Sequence, residues 1–420
     1  MQAQSSVTLY GRAEATVEFG RKNEFSSTST VGNVTTRNTT FQNSNLLGLS
    51  AAEITGLAGA FNAGAIGLAA TPQQTGVSKP SFALQDGNSL GDGSSRFGLR
   101  GTEDLGGGLS ALFQLEAGVN IDDGSSGNGG GNLFSRTAIV GLKGGFGEVT
   151  AGRQVNPAFK VQGAGQAMGA MNGITDAGAI VIPAAGGVRS SNSVRYATPD
   201  FGGFTAEVLL AAPEARGTTT SGANAVESKS NMGSSLALNY NAGPLYVGVG
   251  YDQRKVGLRT SNFTTGAFVS DIGADRKTWV LSTAYDLGFV KPFVSYTRDK
   301  SALSSTTPGV VGHAAVTEKA WSLGATAPLS TNGLLFAEYG NSKTSFGASV
   351  NGTSVLAAGD TVGGKERAFS IGYRHNLSKR TWVQSAYGFY KQESWDRGTG
   401  FADIDTTKQR ALALTVSHVF

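Results

Sequence analysis

The chain has 420 residues without a compositional break that divides it, 34 Lys and Arg against 30 Asp and Glu for a net charge of +4, 61 Gly, 10 Pro and no Cys. Glycine at about twice its usual ~7% beside so little proline excludes collagen and proline-rich disorder. The lack of cysteine excludes disulfide scaffolds, thiolate metal sites and cysteine nucleophiles, and the near-balanced charge, with no basic block carrying interleaved aromatics, leaves no platform for nucleic acid.

A membrane helix needs ~18 consecutive apolar residues; the longest such run, 177–188, is shorter and is broken by Gly and Pro. Residues 6–20 instead alternate strictly, with Val7, Leu9, Ala13, Ala15, Val17 and Phe19 against Ser6, Thr8, Tyr10, Arg12, Glu14, Thr16 and Glu18. Period two marks a strand with one apolar and one polar face. A long connection, 22–93, follows and contains two apolar stretches, 46–54 and 63–70. Ser50 and Glu53 in the first have capping-box spacing for a short helix. So apolar a loop is expected to cover the mouth, drop into the vestibule or clasp a neighbouring copy.

The second strand puts Arg96, Gly98, Arg100 and Thr102 opposite Phe97 and Leu99, and the third puts Gln114 and Glu116 opposite Phe113, Leu115 and Ala117. Arg136 has the parity of Ala138, Val140 and Leu142, an apolar set, so it reaches the polar face only through a bulge or loop. After the fifth strand, the stretch 154–192 carries Lys160, Asp176 and Arg189 as its charges. Alternation resumes in Leu245, Val247, Val249 and Tyr251, then in Phe369, Ile371 and Tyr373 against Ser370, Gly372 and Arg374. The last strand sets Leu412, Leu414, Val416, His418 and Phe420 against Ala413, Thr415 and Ser417.

The connections fall into two alternating classes. Short glycine-rich turns lie at 102–108, 144–147, 199–203, 241–244, 286–288, 329–333 and 376–379, and longer polar stretches at 22–93, 122–132, 154–192, 213–231, 256–275, 300–317, 343–364 and 393–406. Seven short and eight long connections join sixteen antiparallel strands with both ends on the short-turn side, the asymmetry of outer-membrane barrels. In lipid every backbone N–H and C=O must be paired, so a sheet spans only if it closes on itself. A soluble sandwich alternates too. Against it stand the small core that so many Gly and Ala imply, and aromatics near strand ends that suit interfacial girdles: Tyr10, Phe19, Trp279, Tyr285, Tyr296, Trp321, Tyr339, Trp382 and Tyr390.

Several segments in this order, SVTLYG at 6–11, SRFGLRGTEDLG at 95–106, FGEVTAGR at 146–153, YATPDFGGF at 196–204, HNLSKRT at 375–381 and HVF at 418–420, resemble the sixteen-stranded general porins of β-proteobacteria over nearly the whole chain. The resemblance implies an all-β fold: one domain, 1–420, forming a 16-stranded antiparallel transmembrane β-barrel with short periplasmic turns and long extracellular loops, the third loop, 154–192, folded into the pore. It implies a homotrimer in the outer membrane, among its lipid and lipopolysaccharide, with the signal peptide removed. It implies a terminal signal, Leu414, Val416, His418 and Phe420, read by the barrel-assembly machinery. Anion-selective members gather arginines at the constriction, and the matching positions are Arg96, Arg136 and Arg189.

Arg12, Arg100, Arg153 and Lys160 extend the expected anion path, with Glu116 as the carboxylate on it. A cation filter would need clustered carboxylates in 154–192, and there are none, which leaves wall arginines facing a nearly neutral loop to set the field. The competing reading of each arginine is a lumenal salt bridge with Glu14 or Glu116. His313, His375 and His418 have no metal-ligand spacing, and no nucleophile elbow, P-loop or HExxH motif occurs, so neither enzyme activity nor a cofactor is expected. The expected function is passive diffusion of small hydrophilic solutes with a preference for anions. The alternatives are a substrate-selective channel narrowed by the first loop, a closed adhesive barrel, and a rim enzyme.

Overall fold

The structure, a computed structural model, describes residues 6–29, 75–77, 81–86, 95–127, 132–166, 177, 188–212, 218–221, 224–262, 265, 267–354, 361–398 and 401–420. They form a closed antiparallel barrel of 16 strands. The first eight are β1 (Ser6–Ser29), β2 (Thr75–Val77, Ser81–Asp86 and Arg96–Gly106), β3 (Leu109–Val119), β4 (Ser126–Gly127 and Thr137–Gly144), β5 (Gly147–Val155), β6 (Arg189–Ala197), β7 (Phe204–Ala211 and Thr218–Ser221) and β8 (Asn224–Ala242). The rest are β9 (Leu245–Asn262), β10 (Phe268–Tyr285), β11 (Lys291–Thr307), β12 (Val310–Ser330), β13 (Gly333–Val350), β14 (Thr353–Ser354 and Thr361–Asn376), β15 (Thr381–Gly398) and β16 (Phe401–Val419). Each pairs with the next, and β16 returns to β1 with Arg12 opposite Val419 and Ser29 opposite Asp403. Closure leaves no open edge, the condition for a sheet in lipid.

Burial is inverted relative to a soluble protein. Thr16, Ser282, Ser295 and Ser322 are wholly buried on the inward face, while Val7, Val140 and Leu210 are each more than 60% exposed on the outward face. A sandwich buries its apolar face, so this inversion excludes it, and hydrocarbon is the solvent that the outward face suits. On β10 the outward residues run Trp279, Leu281, Thr283, Tyr285, with an aromatic at each end of the apolar band. Tyr251 stacks on Trp279 (centroids 4.5 Å) and Trp321 on Tyr339 (5.5 Å), continuing the girdle around the wall. Three of the expected girdle residues belong elsewhere: Tyr10 bonds Glu116, Trp382 has the parity of the buried Gln384, and Tyr390 packs on Ala177, Ala320 and Ala368, so all three face the lumen.

The short turns are as tight as glycine allows, with Gly106, Gly107 and Gly108 at φ of +85°, +63° and +79°, a region that costs other residues a steric penalty. The long stretches contain more strand than the sequence predicts. β1 runs on to Ser29, and parts of 22–93 pair back onto it, Phe82 opposite Phe19 and Val77 opposite Glu24. The apolar stretches 46–54 and 63–70 lie outside the described residues. Much of 256–275, 300–317, 343–364 and 393–406 is also ladder; β11 and β12 are joined through Pro308 and Gly309 alone. Serine, threonine and glycine read as loop, but two such segments held side by side by a tight turn still satisfy one another's backbone groups. With 21 residues, β12 is ~70 Å long at ~3.3 Å per residue and stands ~50 Å tall at a ~45° tilt, against ~30 Å of hydrocarbon.

A closed register of this kind predicts heat-modifiable migration. Unboiled and boiled protein should run at different apparent masses on a detergent gel, and identical migration of a refolded sample would overturn the closed barrel.

Candidate functional site: the lumenal constriction

The described part of the stretch 154–192 turns inward. Its helix α1 (Pro157–Ala164) starts on a proline, whose fixed φ suits the first helical position. The helix lies on the inner wall: Val161, wholly buried, packs on Ala237 of β8 and Val280 of β10. The Ala158 N–H donates to Ser235 Oγ at 3.1 Å, and Ser295 Oγ donates to the Gly165 carbonyl at 3.0 Å. Gly250 on β9 makes the approach possible, since a Cβ there would sit 2.8 Å from Ala158 Cα. Further on, Ala177 is buried against Ala320 of β12 and Ala368 of β14, its N–H donating to Ser370 Oγ at 3.3 Å. The stretch is thus anchored on β8 to β11 and again on β12 and β14, inside the barrel. Lys160 on the helix is cancelled locally: it donates to Glu207 at 2.7 Å, which also accepts from Arg195 at 2.8 Å, and Arg195 reaches Glu148 at 3.2 Å. Asp176 lies outside the described residues.

Arg12 of β1 and Arg96 of β2 are direct cross-strand partners on the lumenal face. Like charges placed opposite one another destabilise a ladder, so the neighbours must compensate. Glu116 of β3 does so for three groups, accepting from Arg136 Nε at 2.7 Å on one oxygen and from the Tyr10 hydroxyl at 3.0 Å on the other, with Arg96 Nε 3.7 Å away. Arg96 therefore has a carboxylate partner in Glu116, the salt bridge that the sequence offers as the competing reading. Arg136 is wholly buried, and its N–H donates to the Glu116 carbonyl at 3.2 Å. It precedes Thr137, where the main ladder of β4 begins, so strand parity does not govern it and its side chain turns inward. Arg12 pairs with Glu14 and donates through Nε to Ser417 Oγ at 2.9 Å. Arg100 lies over the Tyr10 ring, 5.0 Å from its centroid.

Residues 1–394 match the family of Gram-negative porins. Over 337 residues the chain is 31% identical to an outer membrane porin protein of Bordetella pertussis, covering 78% of this chain and 82% of that relative. The chain is a Gram-negative porin. It is also 31% identical over 314 residues to outer membrane porin protein 32 of Delftia acidovorans, 72% of this chain and 76% of that one. In fold it is similar to the anion-selective porin from Comamonas acidovorans, with a TM-score of 0.57 and 23% identity over 99% of this chain and 100% of that one. The trimer form of OmpT from Vibrio cholerae gives 0.54 and 14% over 99% of each. This porin resides in the outer membrane, and its lumen is the channel.

Other residues singled out in the sequence fall into different surroundings in the porin. Arg153, at the register shift between Gly152 and Gln154, donates to the Ser135 carbonyl at 2.6 Å and to Ser191 Oγ at 2.8 Å, tying together β5, β6 and the approach to β4. Arg189 is half-buried at the start of β6, opposite Val155, at the foot of the inward loop. On β16, Leu414, Val416, His418 and Phe420 all point outward. Phe420 exchanges backbone hydrogen bonds with Gly11 at 3.0 and 3.1 Å, and its ring lies where a Cβ of Gly11 would be.

Sequence reasoning missed several lumenal groups of this porin, among them Arg195, Glu207 and Arg374. Arg374 of β14 donates through Nε to Gln384 Oε1 at 3.0 Å, and the guanidinium carbons of Arg374 and Arg12 each lie 5.0 Å from the Trp382 ring centroid. The alternation of Phe369 and Ile371 against Ser370, Gly372 and Arg374 already carried the signal for its inward direction.

Proposed function

We propose that this porin passes small hydrophilic solutes by passive diffusion with a preference for anions, as a homotrimer and without enzymatic activity. One observation carries the preference. On the wall that runs from β14 through β1 to β4, Arg374, Arg12, Arg96, Arg100 and Arg136 share the lumenal face with Glu14 and Glu116. A unit charge ~5 Å from a passing ion is worth about 0.8 kcal/mol in water and about 3 kcal/mol at an effective dielectric of ~20. Since ~1.4 kcal/mol is tenfold, a surplus of even one charge biases permeation measurably. The anion selectivity of the Comamonas acidovorans porin supports the reading, and the trimer form of OmpT supports the assembly. The apolar outward edge Leu414, Val416, His418 and Phe420 offers the barrel-assembly machinery a strand to read, and the outward apolar wall faces lipid with lipopolysaccharide at its outer rim.

The test is the reversal potential of a planar bilayer under a potassium chloride gradient. Wild-type protein should favour chloride, less so as salt rises, because mobile ions screen the field within ~10 Å at 0.1 M. Replacing both Arg96→Gln and Arg189→Gln should move the potential toward zero. A double variant that keeps the wild-type potential would make these two arginines scaffold.

A further inference from the structure

We propose that the outward face of β10 to β16 carries a belt of cations that binds the phosphates of outer-leaflet lipopolysaccharide. The proposal rests on the lipopolysaccharide rim named above, gives it its residues, and uses no part of the anion preference. On five strands the outward residue two positions beyond an outward aromatic, on the long-connection side, is basic. Lys277 follows Trp279 in this way on β10, Arg298 follows Tyr296 on β11 and Lys319 follows Trp321 on β12. Arg367 beyond Phe369 on β14 and Lys391 beyond Phe389 on β15 repeat the arrangement. Aromatic girdles mark the edge of the hydrocarbon and long connections mark the outer side, so these cations stand at the level of the outer-leaflet headgroups.

Strand register concentrates the charge. Arg298 is directly opposite Lys319, Lys319 opposite Lys343 and Lys343 opposite Lys365, an unbroken row across β11 to β14. Two residues along, Arg367 is opposite Lys391, and Lys391 is opposite Lys408. Like charges placed opposite one another destabilise a ladder, and neutral lipid heads do not offset them. The outward carboxylates adjoining these rows are Asp275, 3.4 Å from Lys277, and Glu393, which pairs with Lys391, so positive charge remains in surplus. With strands ~4.8 Å apart, the row from Arg298 to Lys365 spans about 14 Å. A head with a single phosphate meets one or two of its cations, whereas a glycolipid head with several phosphates engages the whole row. Lysine serves as a mobile point charge for phosphate, and fixed here it takes the place that divalent ions hold between neighbouring lipopolysaccharide molecules. The opposite wall lacks the device: β3 and β7 contain no Lys or Arg, and Arg96 of β2 and Arg195 of β6 turn to lumenal carboxylates.

The test mixes full-length protein, refolded in a zwitterionic detergent, with lipopolysaccharide and measures the glycolipid retained with magnesium present and after an EDTA wash. Wild type is compared with the triple variant Lys319→Gln, Lys343→Gln, Lys365→Gln and with the triple variant Lys319→Arg, Lys343→Arg, Lys365→Arg. Wild type should retain lipopolysaccharide through EDTA, less so as salt rises, and should retain far less once the phosphates of the glycolipid have been removed. At roughly fivefold per basic residue near an anionic surface, the glutamine triple should bind on the order of a hundredfold more weakly. The arginine triple should bind as wild type does, and both should remain heat-modifiable. Lys343→Gln alone, about fivefold weaker, gives the same reading on a less altered face. A wild type matched in retention by the glutamine triple and by Lys343→Gln overturns the row and leaves the rim. Retention by wild type only in magnesium overturns direct binding by the cations. No retention under either condition overturns the rim as well. Equal retention of dephosphorylated lipopolysaccharide, or of phosphatidylglycerol with its single phosphate, overturns the choice of a multiply phosphorylated head.

Discussion

Glu116→Gln is expected to yield a channel that prefers anions more strongly and a barrel that is less stable. Glu116 is the counter-charge of Arg136, which has no exposed surface, and lies beside Arg96. Removing one partner of a buried ion pair costs up to about 3 to 5 kcal/mol, because the remaining charge loses a compensating group in low dielectric. The glutamine oxygen still accepts from Arg136 Nε, which places the loss toward the lower end. Two arginines then act on the lumen where a carboxylate had offset them, so the reversal potential in a salt gradient should move further toward the chloride limit. The stability loss is read as a lower temperature for conversion of the unboiled gel form. A variant that becomes less anion-selective would show that Glu116 does not offset the wall arginines.

Val161→Asp should release the inward loop without opening the barrel. Val161 is wholly buried against Ala237 and Val280, and an unpaired carboxylate there carries a desolvation penalty of several kcal/mol. The hydrogen bonds that hold α1, from Ala158 to Ser235 and from Ser295 to Gly165, contribute about 1 kcal/mol each and do not offset it. The strand ladder involves none of these side-chain contacts, so heat-modifiable migration should persist. Single-channel conductance should rise and the anion preference should fall, because ions then pass farther from the arginine wall. Unchanged conductance would mean that the docked helix does not set the narrow point.

The residues that sequence reading placed well share one property: a regular ladder fixes their direction. Val7 to Phe19 could be sorted by parity because β1 has no bulge until after Phe19, and the short turns were legible because residues such as Gly106 to Gly108 must adopt positive φ. Arg136 was ambiguous because parity was extended one residue past the point where the ladder starts. Tyr10, Trp382 and Tyr390 were given to the girdles because aromatic identity says nothing about face. In Trp382 the even parity of Gln384, Ala386 and Gly388 would have decided it. The length of β9 to β16 was illegible for a different reason: outside the lipid, both faces of a strand are polar and alternation disappears, although backbone pairing continues. The pairing of Arg96 and Arg136 to Glu116 was foreseen only as a competing reading, since relative heights around a tilted barrel depend on register, which a single sequence does not display.

The continuation of β11 and β12 to the Pro308–Gly309 turn has a hydrodynamic consequence. A solute entering from outside meets a high wall at β11 and β12, and diffusive resistance in a tube scales with its length. With ~50 Å of wall on that side and ~20 Å at β5 and β6, whose strands have 9 residues each, at the same ~45° tilt, the described rim is oblique, so the length of wall that a solute passes depends on the side from which it enters.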